Sequence, residues 1–176
     1  MTLAIAHRVE ERAVLDAVRE VKPPFSPDAV VDEFAQLLGQ YRVHAVGGDC
    51  YAGEWPRERF RSHGISYIPV QQTKAQLYAT LLAAINSRRV ELLDHPRLVA
   101  QLCGLERRTA WGGRETIDHG PSGHDDVANA VAGAIVAAAW PRWPPEVHAR
   151  IIEVPVPNRG LSNRQLLGAG GWGSEW

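Results

Sequence analysis

The stretch Val43-His44-Ala45-Val46-Gly47-Gly48-Asp49 decides the fold class, because it is a short β-prone strand that ends on a carboxylate. Apolar residues recur at helical spacing over residues 30–41 before it, and Pro56 begins a charged helix after it. Residues 65–70 are the next predicted strand, and Thr73 caps the helix that follows. This alternation of strands and helices predicts an α/β architecture.

Two β-prone stretches, residues 2–6 and 13–21, lie upstream and flank the charged run 8–12. They predict a β-hairpin, although alanine and leucine also make the second stretch compatible with a helix. Ser26 and Pro27 then provide an N-cap hydroxyl and a first helical residue. The remaining pattern predicts an extended piece at 90–93, a helix at 95–105, a hairpin or loop at 107–118 and a last helix at 124–139.

Length and charge restrict the class of protein. The chain has 176 residues, which fits one domain and a tail, and 19 Lys+Arg against 20 Asp+Glu give a net charge of −1. This balance excludes a globally basic nucleic-acid coat, so any DNA contact must come from a local patch. Two cysteines suit a reducing compartment, and no apolar run approaches the ~20 residues of a membrane span. We therefore expect a soluble cytoplasmic protein without a membrane partner.

The composition changes after Trp140, where prolines and then glycines recur without a steady period. Such a composition buries too little apolar area to offset the entropy of ordering. We therefore expect a globular domain over residues 1–140 and an irregular, disordered tail over residues 141–176.

Several catalytic motifs are absent from the sequence. It contains no G-x-x-x-x-G-K-[ST] phosphate-binding loop, no CxxC or HExxH zinc signature and no G-x-S-x-G nucleophile elbow. Two acidic positions remain: Asp49 at a strand end, and the pair Asp125 and Asp126 at the start of an alanine-rich helix.

Carboxylates that converge from these two positions could hold Mg²⁺ or Mn²⁺, and paired ions of this kind activate water for attack at phosphorus. Ordinary structural roles also fit. The helix macrodipole favours Asp125 and Asp126 at a helix start without any metal, and Asp49 could simply end its strand in a turn.

Four segments in this order resemble the C-terminal nuclease domain of phage terminase large subunits over residues 1–140: 48–55, 90–96, 118–121 and 124–130. The resemblance implies an RNase H-like mixed sheet flanked by helices, and a two-metal endonuclease that cuts concatemeric viral DNA during genome packaging. It places Asp49 at the end of the fourth strand and Asp125 on the final helix. It implies catalytic and metal-binding roles for Asp49, Asp125 and Asp126, with His124 as a further candidate ligand.

One departure from the family concerns its first strand, which carries a metal-binding Asp, lies at the centre of the strand order 3-2-1-4-5 and has no counterpart before residue 2. Two strand edges would then lack hydrogen-bond partners. The ATPase half of a terminase is missing as well. The resemblance therefore implies a fragment with impaired activity, such as a truncated prophage gene, a misplaced start or an excised domain.

DNA contacts are predicted at a local basic loop formed by Arg107, Arg108 and Arg114, and at Lys74 near the active edge. A solvated charged loop is an equally good interpretation of the three arginines. The family implies double-stranded DNA, a terminase ATPase domain, a portal and a small subunit as partners.

Three functions stay open at this point. The first is the metal-dependent endonuclease, and the second is a catalytically inactive remnant that binds DNA or a packaging partner. The third is an RNase H-like resolvase or transposase, which would share the carboxylates.

Overall fold

The computed structural model describes residues 1–49, 54–109, 115–120, 123–139 and 151–153. In chain order these residues form β1 (Thr2–Val9), β2 (Arg12–Glu20), α1 (Pro27–Gln40), β3 (Ala45–Asp49), α2 (Glu54–Ser62), β4 (Ser66–Val70), α3 (Lys74–Asn86), β5 (Val90–Glu91), α4 (Pro96–Cys103), β6 (Leu105–Thr109), β7 (Glu115–His119), α5 (Asp126–Ala139) and β8 (Ile151–Glu153). The predicted mixed α/β fold is confirmed.

The main sheet has six strands in the order β4-β3-β8-β1-β2-β5, and β6 and β7 form a separate antiparallel pair. Strands β1 and β2 form the predicted hairpin, with a bulge between Ile5 and Ala6. The second stretch is a strand rather than a helix because its backbone groups pair with β1. Strands β3 and β4 run parallel, as expected for neighbours joined through a helix.

The place expected to be empty, between β1 and β3, is taken by β8. This strand runs antiparallel to β1 and parallel to β3. The expectation of two unpaired edges is therefore wrong here, because a strand from much later in the chain supplies the hydrogen-bond partners. Three residues of the predicted irregular tail thus lie in the sheet, while residues 141–150 and 154–176 lie outside the described structure. The division of the chain at residue 140 stays a prediction.

Helices cover both faces of the main sheet. On one face, α1 and α2 pack against Leu3, Ile5 and Val46 through Phe34, Phe60 and other buried side chains. On the other face, α3, α4 and α5 pack against Ala4, Ala6, Ala13 and Leu15. Small strand residues on this second face allow α5, which is buried along most of its length, to approach the sheet closely.

The ends of α1 and α4 differ in detail from the sequence expectations. Ser26 starts α1 with its backbone carbonyl, which accepts the Val30 N–H at 3.1 Å, while its side chain makes no capping hydrogen bond. Helix α4 ends at Cys103, because Leu105 pairs with His119 in the β6–β7 ladder instead of extending the helix. Among the described residues, no helix combines the length and apolar character that crossing a membrane requires.

Candidate metal centre

Asp125 is a buried carboxylate immediately before α5, with only 3% of its surface exposed. The Tyr78 hydroxyl donates a hydrogen bond to Asp125 Oδ2 at 2.8 Å. The Lys74 ammonium lies 3.0 Å from the same oxygen and donates to Asp125 Oδ1 at 3.1 Å. Because a buried carboxylate is costly without a partner of opposite charge, these two contacts explain how the group is tolerated.

Capping does not account for the Asp125 carboxylate. The Ala128 N–H, in the first turn of α5, donates to Gln101 Oε1 at 2.9 Å, and Gln101 itself is buried on α4. A side chain from another helix thus satisfies an N–H that an Asp at the helix start would usually accept. The contacts of the Asp125 carboxylate are instead made with α3.

Helix α3 presents Lys74 and Tyr78 together because residues four apart share one face of a helix. Its start is fixed by a capping box, in which Thr73 Oγ1 accepts the Gln76 N–H at 3.3 Å and Gln76 Oε1 accepts the Thr73 N–H at 2.8 Å. The capping box therefore fixes the position of Lys74, which is the first residue of the helix.

A second carboxylate and an imidazole lie beside Asp125. Asp118 and His119 end β7, and one ligand atom from each lies within 4.8 Å of the others and of an Asp125 oxygen. We call Asp118, His119 and Asp125 the acidic cluster. The Lys74 ammonium donates to Asp118 Oδ1 at 3.3 Å, so it bridges the two carboxylates.

The orientation of His119 leaves one ring nitrogen for a ligand. Its Nδ1 lies 2.7 Å from the Gly120 carbonyl oxygen, which can only accept, so Nδ1 carries the proton. In the neutral ring the lone pair is then on Nε2. A backbone carbonyl commonly fixes the tautomer of a metal-binding histidine in this way.

Electrostatics favour the charged forms of Lys74 and Asp118. Burial alone would lower the pKa of Lys74, but hydrogen bonds and charge from Asp125 and Asp118 outweigh it and raise that pKa. Slight burial alone would raise the pKa of Asp118, but the hydrogen bond from the backbone N–H of His119 and the nearby Lys74 ammonium outweigh it and lower that pKa. The cluster is therefore a site of two carboxylates compensated by one ammonium.

Asp49 is the last residue of β3, and its side chain lies outside the described structure. The predicted convergence of the Asp49 and Asp125 carboxyl groups therefore stays a prediction. The backbone does place both residues at one edge of the sheet. Helix α3 begins just beyond the carboxyl end of β4, which is parallel to β3, and Lys74 at that helix start contacts Asp125.

The other predicted site residues lie around this edge. Asp126 is the partly buried first residue of α5, and His124 is exposed, with its ring centroid 6.5 Å from that of His119. Arg108 on β6 is exposed and pairs with Glu106 at 2.7 Å. Arg107 lines a groove of about 540 Å³ between α3 and the β6–β7 pair. Arg114 lies outside the described residues.

Three residues of the centre were missed from the sequence: Asp118, His119 and Tyr78. Asp118 and His119 lie in one of the four segments that resemble the family, but their pattern in the sequence does not by itself predict a metal role. The signal for Tyr78 was its spacing of four from Lys74, which predicts a shared helix face but not what that face contacts.

The donor set fits a divalent cation. Carboxylate oxygens are the ligands that Mg²⁺ and Mn²⁺ prefer, and two of them lie close together with an imidazole nitrogen. Lys74 already contributes one positive charge between them, so a divalent ion bound to both carboxylates would displace the ammonium.

No protein-family model matches the chain, and no curated protein sequence matches it. Solved structures do match it. The large terminase nuclease from thermophilic phage G20c is 15% identical, with a TM-score of 0.60 over 73% of this chain and 80% of that chain. The same nuclease with bound magnesium gives 17% identity and a TM-score of 0.59, over 73% and 79% of the two chains.

A third match is the large terminase nuclease domain of Thermus phage P74-26, at 17% identity and a TM-score of 0.55, over 75% of this chain and 76% of that one. The G20c nuclease has also been solved with bound cobalt. The chain has the fold of phage large terminase nuclease domains.

Proposed function

We propose that this chain is a divalent-metal-dependent DNA endonuclease domain of a phage or prophage packaging machinery. The observation that carries the proposal is Asp125, a buried carboxylate that α3 holds in place and that lies beside Asp118 and His119. Burial of an acidic group without a capping role is typical of a functional site rather than of a surface helix start. The structures that share this fold are nucleases, two of them with bound metal.

The proposed ligands are Asp49, Asp125 and Asp126, with Asp118 and His119 of the acidic cluster and His124 as further candidates, and the ions are Mg²⁺ or Mn²⁺ in a two-metal site. Ions bound here would activate water and compensate charge on the phosphate. In the hydrolysis an oxygen–phosphorus bond forms from water, a phosphorus–oxygen ester bond breaks, and the water proton balances the leaving oxygen. Tyr78 orients the Asp125 carboxylate by its hydrogen bond, and a displaced Lys74 ammonium would remain near the phosphate.

The substrate is proposed to be double-stranded DNA, contacted by Arg107, Arg108, Arg114 and Lys74. A terminase ATPase domain, a portal and a small subunit are the proposed partners, in the cytoplasm of a bacterial host. An alternative is an inactive remnant that binds DNA or a packaging partner without cutting. A resolvase or transposase would use the same carboxylates on a related fold.

Plasmid nicking in Mn²⁺ or Mg²⁺ tests the proposal. We expect weak nicking by the native chain, in keeping with impaired activity, that a chelator stops and that Asp49→Asn and Asp125→Asn each abolish. Glu58→Gln, which neutralises an exposed carboxylate on α2, is the matched control and should leave nicking unchanged. Nicking that survives both Asn substitutions would refute the endonuclease assignment, and DNA binding without nicking would favour the inactive remnant.

A further inference from the structure

Strand β8 ends at the same edge of the sheet as β3. The two strands run parallel, and Ile152 is in register with Gly48. The next residue of each strand is Glu153 and Asp49, so these two acidic residues occupy neighbouring positions where both strands end. Neighbouring strands are about 4.8 Å apart.

The alternation of strand residues places Glu153 and Asp49 on the same face. Leu3 and Val46 belong to the core beneath α1, and Ile152 is in register with Leu3. Successive residues of a strand alternate between faces. Glu153, which is in register with Thr2, and Asp49 are therefore both on the opposite face, which α5 covers.

The start of α5 lies at this same edge, because Asp125 contacts Lys74 just beyond the carboxyl end of β4. The backbone thus places three acidic residues from separate parts of the chain at one edge of the sheet, on the side that α5 covers. They are Asp49 from β3, Asp125 from the start of α5 and Glu153 from β8.

We infer that Glu153 is a third acidic ligand of the metal centre, an assignment that rests on the proposed function. Like charges directly opposite each other on neighbouring strands destabilise a sheet. A divalent ion held by both residues would remove this cost, and Glu153 would add a third acidic ligand to Asp49 and Asp125.

Substitution of Glu153 by Gln tests the inference, because it removes the charge and keeps the size of the side chain. Mn²⁺ binding by calorimetry, plasmid nicking in Mn²⁺ and thermal unfolding in chelator are measured on the full chain. We expect Glu153→Gln to weaken Mn²⁺ binding and nicking at least about tenfold. Loss of a residue that only supports a metal ligand already has an effect of about that size, and loss of a ligand itself should have no smaller one. Its melting temperature without metal should equal or exceed that of the native chain, since the substitution relieves repulsion.

Glu91→Gln, which neutralises an exposed carboxylate on β5 of the same sheet, is the matched control and should change none of the three measurements. Native Mn²⁺ binding and nicking in Glu153→Gln, with both lost in Asp49→Asn and Asp125→Asn, would overturn the inference and leave the endonuclease standing. Mn²⁺ binding that depends on Glu153 in a chain that never nicks would support the inference and refute the endonuclease. A Glu153→Gln chain that does not fold would give the residue a structural role and overturn the inference.

Discussion

Lys74 holds the most unusual position of any single residue in the centre, since its ammonium bridges two carboxylates that are proposed to bind a cation. Its side chain is 34% exposed, whereas that of Asp125 is almost fully buried. The lysine therefore stabilises the metal-free fold and competes with a metal at the same oxygens. In chelator the lysine raises the free energy of unfolding, whereas with metal present it reduces the stabilisation that the metal gives. Measurements without and with metal therefore separate the two effects.

Lys74→Met should lower the free energy of unfolding in chelator by about 1–2 kcal/mol. Breaking a buried ion pair costs roughly 3–5 kcal/mol, and the partial exposure of Lys74 reduces that figure. Urea denaturation measures the loss, and the stabilisation gained on adding Mn²⁺ should be larger than in the native chain because no ammonium competes. Arg89→Met, which removes an exposed pair with Glu11, is the control. Unchanged metal-free stability in Lys74→Met would contradict the bridging role.

At the scale of elements, the contact between β3 and β4 depends on a glycine. A Cβ built on Gly48 would lie 2.0 Å from the Tyr67 hydroxyl oxygen and 2.3 Å from the ring carbon that bears it. The Tyr67 ring in turn stacks on Phe60 of α2, with centroids 6.1 Å apart. Gly48 therefore gives the Tyr67 ring its place between the sheet and α2, one residue before Asp49.

Gly48→Ala should destabilise the protein by about 1–3 kcal/mol, the usual cost of overpacking a core. Combined with Tyr67→Leu, its effect should be smaller than the sum of the two single effects, since the smaller side chain removes the clash. Thermal unfolding of the double-mutant cycle measures this coupling. Gly39→Ala in α1, where a Cβ meets nothing within 4 Å, is the control. Strict additivity of Gly48→Ala and Tyr67→Leu would show that the two residues do not compete for space.

At the scale of the whole molecule, the sheet is continuous only because β8 joins β1 to β3. A chain that ends at residue 140 should lose its cooperative unfolding transition and aggregate, because two strand edges inside the sheet lose their partners. A chain that ends at residue 160 keeps β8, and its melting temperature should equal that of the full chain. Calorimetry and size-exclusion chromatography distinguish the two. A chain of 140 residues that unfolds at the native temperature would show that β8 is dispensable.

The sequence by itself determined the local elements, because hydrophobic periodicity, the Thr73 cap and the strand that ends in Asp49 each depend only on residues close together in the chain. It also identified Asp125 as a candidate, through its place at a helix start and the family resemblance. Only the tertiary structure decided that Gln101 takes the Ala128 N–H, that Lys74 and Tyr78 hold Asp125, and that β8 lies between β1 and β3. These contacts join residues 27 or more positions apart, and no periodicity or propensity along the chain encodes which distant groups will meet.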